Sequence, residues 1–237
     1  MQTADQTLDT PHGTMRLYEA LPEGQARGAV VVVQEAFGVN AHIEDVTRRL
    51  AEAGYHAVAP AYFHRAGGGT AEYGKMDEVM PLYEGLSDDG VLVDTDAALD
   101  HLRAAGHTDE HIGVVGFCWG GRVTFLVAVE RTLGAAVGFY GGGIVQPGRF
   151  EAFPALIDRI GDLKTPWLGL FGDEDAAIPV EDVEKLKAEL QGAPLETEVV
   201  RYEDAEHGFH CDVRSSYHED AARDAWARTL EWFDRHL

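Results

Sequence analysis

His111-Ile112-Gly113-Val114-Val115-Gly116-Phe117-Cys118-Trp119-Gly120-Gly121 runs mostly apolar to Phe117, meets a cysteine bracketed by glycines, and continues as a helical pattern over 120–131. A near-continuous apolar run of this length is what a central strand buried on both faces of a parallel sheet requires. Where such a strand turns sharply into a helix, the flanking residues must be small, or strand and helix collide. Gly116 and Gly120 supply that, and they leave Cys118 at the helix N-terminus. The partial positive charge there favours a thiolate. The Trp119 N–H is then directed toward a developing oxyanion. A buried structural cysteine is the alternative, because free cysteines are often buried. Partners elsewhere in the chain have to decide.

Outward from this stretch, short Val-rich runs alternate with helical ones. Residues 28–34 and 56–60 read as strands, with a helix over 42–51 between them. A helix over 88–105 precedes the central strand. Beyond the cysteine come strands over 135–140, 166–171 and 196–202, and helices over 180–190 and 217–236. Alternation of this kind implies a mostly parallel sheet with right-handed crossovers. Between 62 and 86 the pattern loosens around Gly67-Gly68-Gly69 and Gly74, as a loop or small cap over a site would. The 237 residues carry no repeat or linker, and one domain over 1–237 is expected.

Composition narrows the function classes. Asp and Glu number 41 against 19 Lys and Arg, a net charge of −22, and only four of the basic residues are lysines. Such a chain repels phosphate backbones and anionic membranes, so neither nucleic acid nor a membrane is an expected partner. No apolar run approaches the ~20 residues that cross a bilayer. Met1-Gln2-Thr3-Ala4-Asp5-Gln6 lacks the basic and apolar segments of a signal peptide. With two cysteines, a reducing cytoplasmic location is expected.

The turn around Cys118 resembles the nucleophile elbow of α/β-hydrolases, in which nucleophile, acid and histidine follow one another along the chain. Acid candidates lie in Gly172-Asp173-Glu174-Asp175, directly after a strand, in a loop that opens on the same sheet edge as the elbow. Asp175 is preferred for its depth in the loop, with Asp173 as runner-up. The base candidate is His207 in Glu206-His207-Gly208-Phe209-His210, the loop between the last strand and the terminal helix. His210 is its confounder. His207 would take the proton of Cys118 while Asp175 fixes the ring tautomer. At the end of the 28–34 strand, Gln34-Glu35-Ala36-Phe37-Gly38 occupies the loop that supplies a second oxyanion N–H, that of Ala36. Glu35 adds a carboxylate at the same edge.

Together these segments resemble the dienelactone hydrolase (carboxymethylenebutenolidase) family, from about Gly28 to the C-terminus. The resemblance implies an α/β-hydrolase fold with helices on both faces of the sheet and a Cys118–Asp175–His207 triad. It implies hydrolysis of a small ester or lactone through a thioester, with no cofactor and no metal. It also implies that Glu35 contacts Cys118 at rest and helps deprotonate it when substrate binds. The family's substrate-holding arginines are not matched: four residues after His207 stands Cys211, and before the 88–105 helix only Lys75 is found. Lys75, Arg65, Arg122 or His210 would have to substitute, with Phe37, Tyr62, Phe63, Tyr83 and Trp119 as apolar walls. A monomer or homodimer is expected.

Two other readings stay open at this level. Cys118 and Cys211 could form a peroxide-responsive thiol pair, although they lie 93 positions apart with no Cys-x-x-Cys. A non-catalytic ligand-binding version of the same fold is the second.

Overall fold

Val30, Val31, Val32 and Val33 are all fully buried, so successive side chains, which point to opposite faces of a strand, both meet protein. Their strand, β3 (Ala29–Val33), therefore lies inside a sheet covered on both sides. In the computed structural model, which describes residues 1–148 and 152–237, that sheet has eight strands. The others are β1 (Gln2–Thr10), β2 (Gly13–Leu21), β4 (His56–Pro60), β5 (Ile112–Phe117), β6 (Ala135–Phe139), β7 (Trp167–Gly172) and β8 (Thr197–Tyr202). Their spatial order is β1-β2-β4-β3-β5-β6-β7-β8. From β4 to β8 every pairing is parallel; β1 and β2 join antiparallel.

Among the described residues six α-helices connect or flank the strands: α1 (Ala41–Glu52), α2 (Met76–Leu82), α3 (Asp88–Ala104), α4 (Trp119–Glu130), α5 (Val180–Glu189) and α6 (Glu219–His236). Sequence signals set their ends. Asn40 caps α1 by accepting from the Ile43 N–H, and Ser87 caps α3 by accepting from the Gly90 N–H. Helix α4 is buried along nearly its whole length, as expected of a helix packed against the central strands.

The mostly parallel α/β sheet expected from the sequence is present, with strand and helix limits within a residue or two. Two features differ. The hairpin β1–β2 was not legible, because β1 is largely exposed and carries no apolar run. The segment 62–86 is more ordered than a loop: a 3-10 turn over Tyr62–Ala66 is followed by α2.

Candidate active site

The passage from β5 to α4 bends at one residue. Cys118 has φ 56 and ψ −117, a positive φ that a non-glycine residue adopts only at a cost of order 1–3 kcal/mol. Its neighbours allow it. A Cβ on Gly116 would stand 2.2 Å from the Gly120 carbonyl oxygen, and one on Gly120 would stand 2.5 Å from that of Val33. The Cys118 N–H is tied to the Phe139 carbonyl at 3.0 Å, which fixes the turn against β6.

His207 lies in the loop after β8, and its Nδ1 is 2.6 Å from Asp175 Oδ2. Asp175 is buried, and its other oxygen accepts from the Ala177 N–H at 2.8 Å, so both carboxylate oxygens are engaged. Asp173 points elsewhere: it holds Arg201 through two bonds of 2.7 and 2.6 Å. Burial by itself would lower the His207 pKa. The negative charge at Cys118, hydrogen bonds to Asp175 and Cys118, and the charge of Asp175 outweigh burial and push it up to about 10. The ring thus stands with a carboxylate on one side and the Cys118 turn on the other.

Cys118, Trp119, Ala36 and His207 border a single cavity of about 460 Å³. Neither the Ala36 nor the Trp119 N–H has a protein acceptor among the described residues. Phe37 and Tyr83 also line the cavity, and Met76 of α2 closes one side. Residues 62–86 thus contribute a wall, as a small cap would. Trp119 is wedged among aromatics, 5.6 Å from the Tyr83 ring and 6.0 Å from Phe153.

Glu35 is fully buried, yet the contact with Cys118 that the resemblance implies is not among its hydrogen bonds. Its Oε2 accepts from the Tyr73 hydroxyl at 2.9 Å, and its Oε1 lies 3.6 Å from the Arg214 guanidinium. Burial and the Glu35 charge push the Tyr73 pKa up, so Tyr73 stays a phenol and a donor. Arg214 sits over the Tyr73 ring, 5.4 Å from its centroid, and reaches the cavity.

Arg214 and Tyr73 escaped the sequence reading. Two consecutive turns, Cys211 N–H to Gly208 and Arg214 N–H to Cys211, fold the chain back on itself. Arg214, seven residues after His207, thereby crosses Gly208, where a Cβ would stand 2.2 Å from its guanidinium. The glycine after the histidine was the available signal.

Four suggested substrate contacts are corrected. Lys75 is exposed and pairs with Glu72 and Glu78. Tyr62 is fully buried, with its hydroxyl 2.9 Å from Thr95. His210 is a core residue stacked on Phe117, and burial followed by the charges of His42 and Arg49 pushes its pKa down to about 3. Arg65 is locked onto buried Asp94 and the Gly90 carbonyl. Arg122 does border the cavity, but Asp88 already holds it in a two-bond pair of 2.7 and 2.9 Å. A guanidinium so neutralised offers little to a second carboxylate.

Both cysteines are free. Cys211 is buried, its thiol donates to Tyr73 at 3.4 Å, and burial raises its pKa, which weakens the thiol-pair reading. No helix among the described residues is long and apolar enough to cross a membrane.

Comparison with known proteins agrees with this architecture. The chain matches the Dienelactone hydrolase family over residues 15–237. It is 39% identical to a provisionally named carboxymethylenebutenolidase of Yersinia pestis, across 87% of this chain and 78% of that one. A carboxymethylenebutenolidase of Pseudomonas putida is 29% identical, across 86% of this chain and 84% of that one. Among solved structures, a provisionally named dienelactone hydrolase of Klebsiella pneumoniae superposes with a TM-score of 0.89 at 37% identity, covering 98% of both chains.

Proposed function

The chain belongs to the dienelactone hydrolase family and is a carboxylic ester or lactone hydrolase, and from that premise we propose that it works through a thioester on Cys118. The observation that carries the reading is the 2.6 Å bond from His207 Nδ1 to buried Asp175, at a cavity His207 shares with the strained Cys118 turn, an arrangement in which His207 takes the Cys118 proton. Cys118 Sγ attacks the substrate carbonyl carbon. The carbonyl oxygen takes the electron pair and is held by the N–H groups of Trp119 and Ala36. As the tetrahedral species collapses, His207 gives its proton to the leaving oxygen, which in a lactone stays tethered to the acyl group. Neutral His207 then removes a proton from water, and the resulting hydroxide frees the acid and restores the sulfur.

Acid-quenching the protein during turnover of an aryl acetate, followed by peptide mass spectrometry, tests this. An acetyl group released by hydroxylamine is expected on the peptide carrying Cys118. A burst without that adduct, or acetyl on another side chain, overturns the thioester.

Arg214 is the cation for a substrate carboxylate in this reading. It already lies against Glu35 at the cavity, and its neutralisation by Glu35 is incomplete at 3.6 Å. Lactones bearing a carboxylate are expected to be hydrolysed with higher kcat/KM than neutral ones. Arg214→Gln is expected to remove most of that preference, roughly tenfold or more for one charged contact. Equal losses on both substrate types would assign Arg214 a purely structural part.

A further inference from the structure

A second group of titratable side chains lies at the other end of the sheet, unused by the hydrolytic site. His56 begins β4, and through Ala29 it is level with Ile112, the first residue of β5, whereas Cys118 follows that strand's last residue. Glu19 on β2 pairs with Val58, so it shares a sheet face with His56, two positions before Val58. His101 reaches the same point from the last turns of α3. The Nε2 atoms of His56 and His101 each lie 2.8 Å from Glu19 Oε1, and the three donor atoms fall within 4.8 Å of one another.

From these residues we infer a binding site for one divalent transition-metal ion of the zinc class, ligated by Glu19 Oε1, His56 Nε2 and His101 Nε2. Two imidazoles and a carboxylate form the donor set that borderline cations take. Ligands about 2.1 Å from zinc in a tetrahedral site stand roughly 3.4 Å apart, between the 2.8 Å contacts to Glu19 and the 4.8 Å limit on the spread of the three atoms, so on binding the imidazoles draw back from Glu19 by about half an ångström.

The surroundings are those of a built site. Metal-bound histidines and carboxylates are normally fixed through their remaining polar atoms. Here Glu19 Oε2 accepts from Gln6 at 2.9 Å, and His56 Nδ1 lies 3.2 Å from His107 Nε2. Glu19 is buried, and Gln6 holds the oxygen that faces away from the two imidazoles, which leaves Oε1 directed at them. An open cleft bordered by His56, His107, Leu21 and Gly106 reaches one of the three ligands, and His101 is partly exposed. On binding, each Nε2 releases to solvent any proton it shares with Glu19. The net charge of −22 draws cations toward the surface. The three ligands come from β2, β4 and α3, so a bound ion cross-links the antiparallel hairpin to the parallel sheet.

Metal-stripped full-length protein should be titrated with Zn²⁺ against a chromophoric chelator, and its melting followed with and without the ion. One tight site per chain and a raised Tm are expected. His101→Gln, on a partly exposed helix position, is expected to weaken binding by at least about 100-fold and to abolish the Tm rise. His107→Ala, which removes only the support of His56, is expected to weaken it about 10–100-fold. X-ray absorption of the zinc-loaded wild-type protein needs no variant and should report nitrogen and oxygen ligands alone. A sulfur ligand, affinity unchanged in His101→Gln, or no binding at all overturns the site.

Discussion

Cys118→Ala is expected to lower kcat for an aryl acetate by roughly 10⁴–10⁶, the range typical of removing a nucleophile from a triad that acts as a unit. Stability should change far less. Alanine keeps the Cβ at the same positive φ, so the backbone cost of the turn is inherited rather than relieved. The side chain lost is one sulfur, partly buried at a cavity wall. The charge at Cys118 is the largest influence raising the His207 pKa, so the variant should also bring that pKa down from about 10. Imidazole NMR titration of His207 reads this shift apart from catalysis. Activity retained at more than a few per cent, with the protein folded, would remove Cys118 from the chemistry altogether.

The elbow could be read from sequence because its causes are local. Strand, glycine, cysteine, glycine and helix are consecutive, and the collisions that Gly116 and Gly120 avoid involve backbone a few residues away or on the adjoining strand. The core strands were legible for a similar reason, since Val30–Val33 and Ile112–Phe117 are apolar at every position that burial on two faces demands. The exposed strand β1 alternates weakly and leans on β2 for its existence, so nothing in its own residues announced it.

The pocket was less legible because its walls are assembled by long-range turns. Arg122 and Arg214 look alike in sequence, yet Asp88, 34 residues away, cancels one, while a double turn brings the other to the cavity. Glu35 follows closely on the end of β3. What it touches depended on Tyr73, in the segment whose pattern was weakest. His210 shows the converse: a polar residue three positions from His207 points into the aromatic core, where burial keeps it neutral.

Asp175→Asn is the second large effect, expected to reduce kcat by about 10³–10⁴. The Ala177 N–H donates to one carboxylate oxygen, so an asparagine at 175 keeps its amide oxygen there and turns its NH₂ toward His207 Nδ1. Nδ1 must then accept, the ring proton moves to Nε2, and the tautomer no longer suits proton removal. Both contributions of Asp175 to the raised His207 pKa are lost with the carboxylate. Stability carries the same signature. A histidine with a pKa near 10 in the folded chain and about 6.5 unfolded stabilises fully below pH 6.5, and that contribution fades as pH rises toward 10. Wild-type protein should therefore lose stability across that window, and Asp175→Asn should show a flatter profile. Asp173→Asn is the internal contrast. It breaks a partly exposed pair with Arg201, worth about 1 kcal/mol or less, and should leave kcat within a few-fold of wild type. A large loss from Asp173→Asn with little from Asp175→Asn would hand the acid's part to the other carboxylate of the loop.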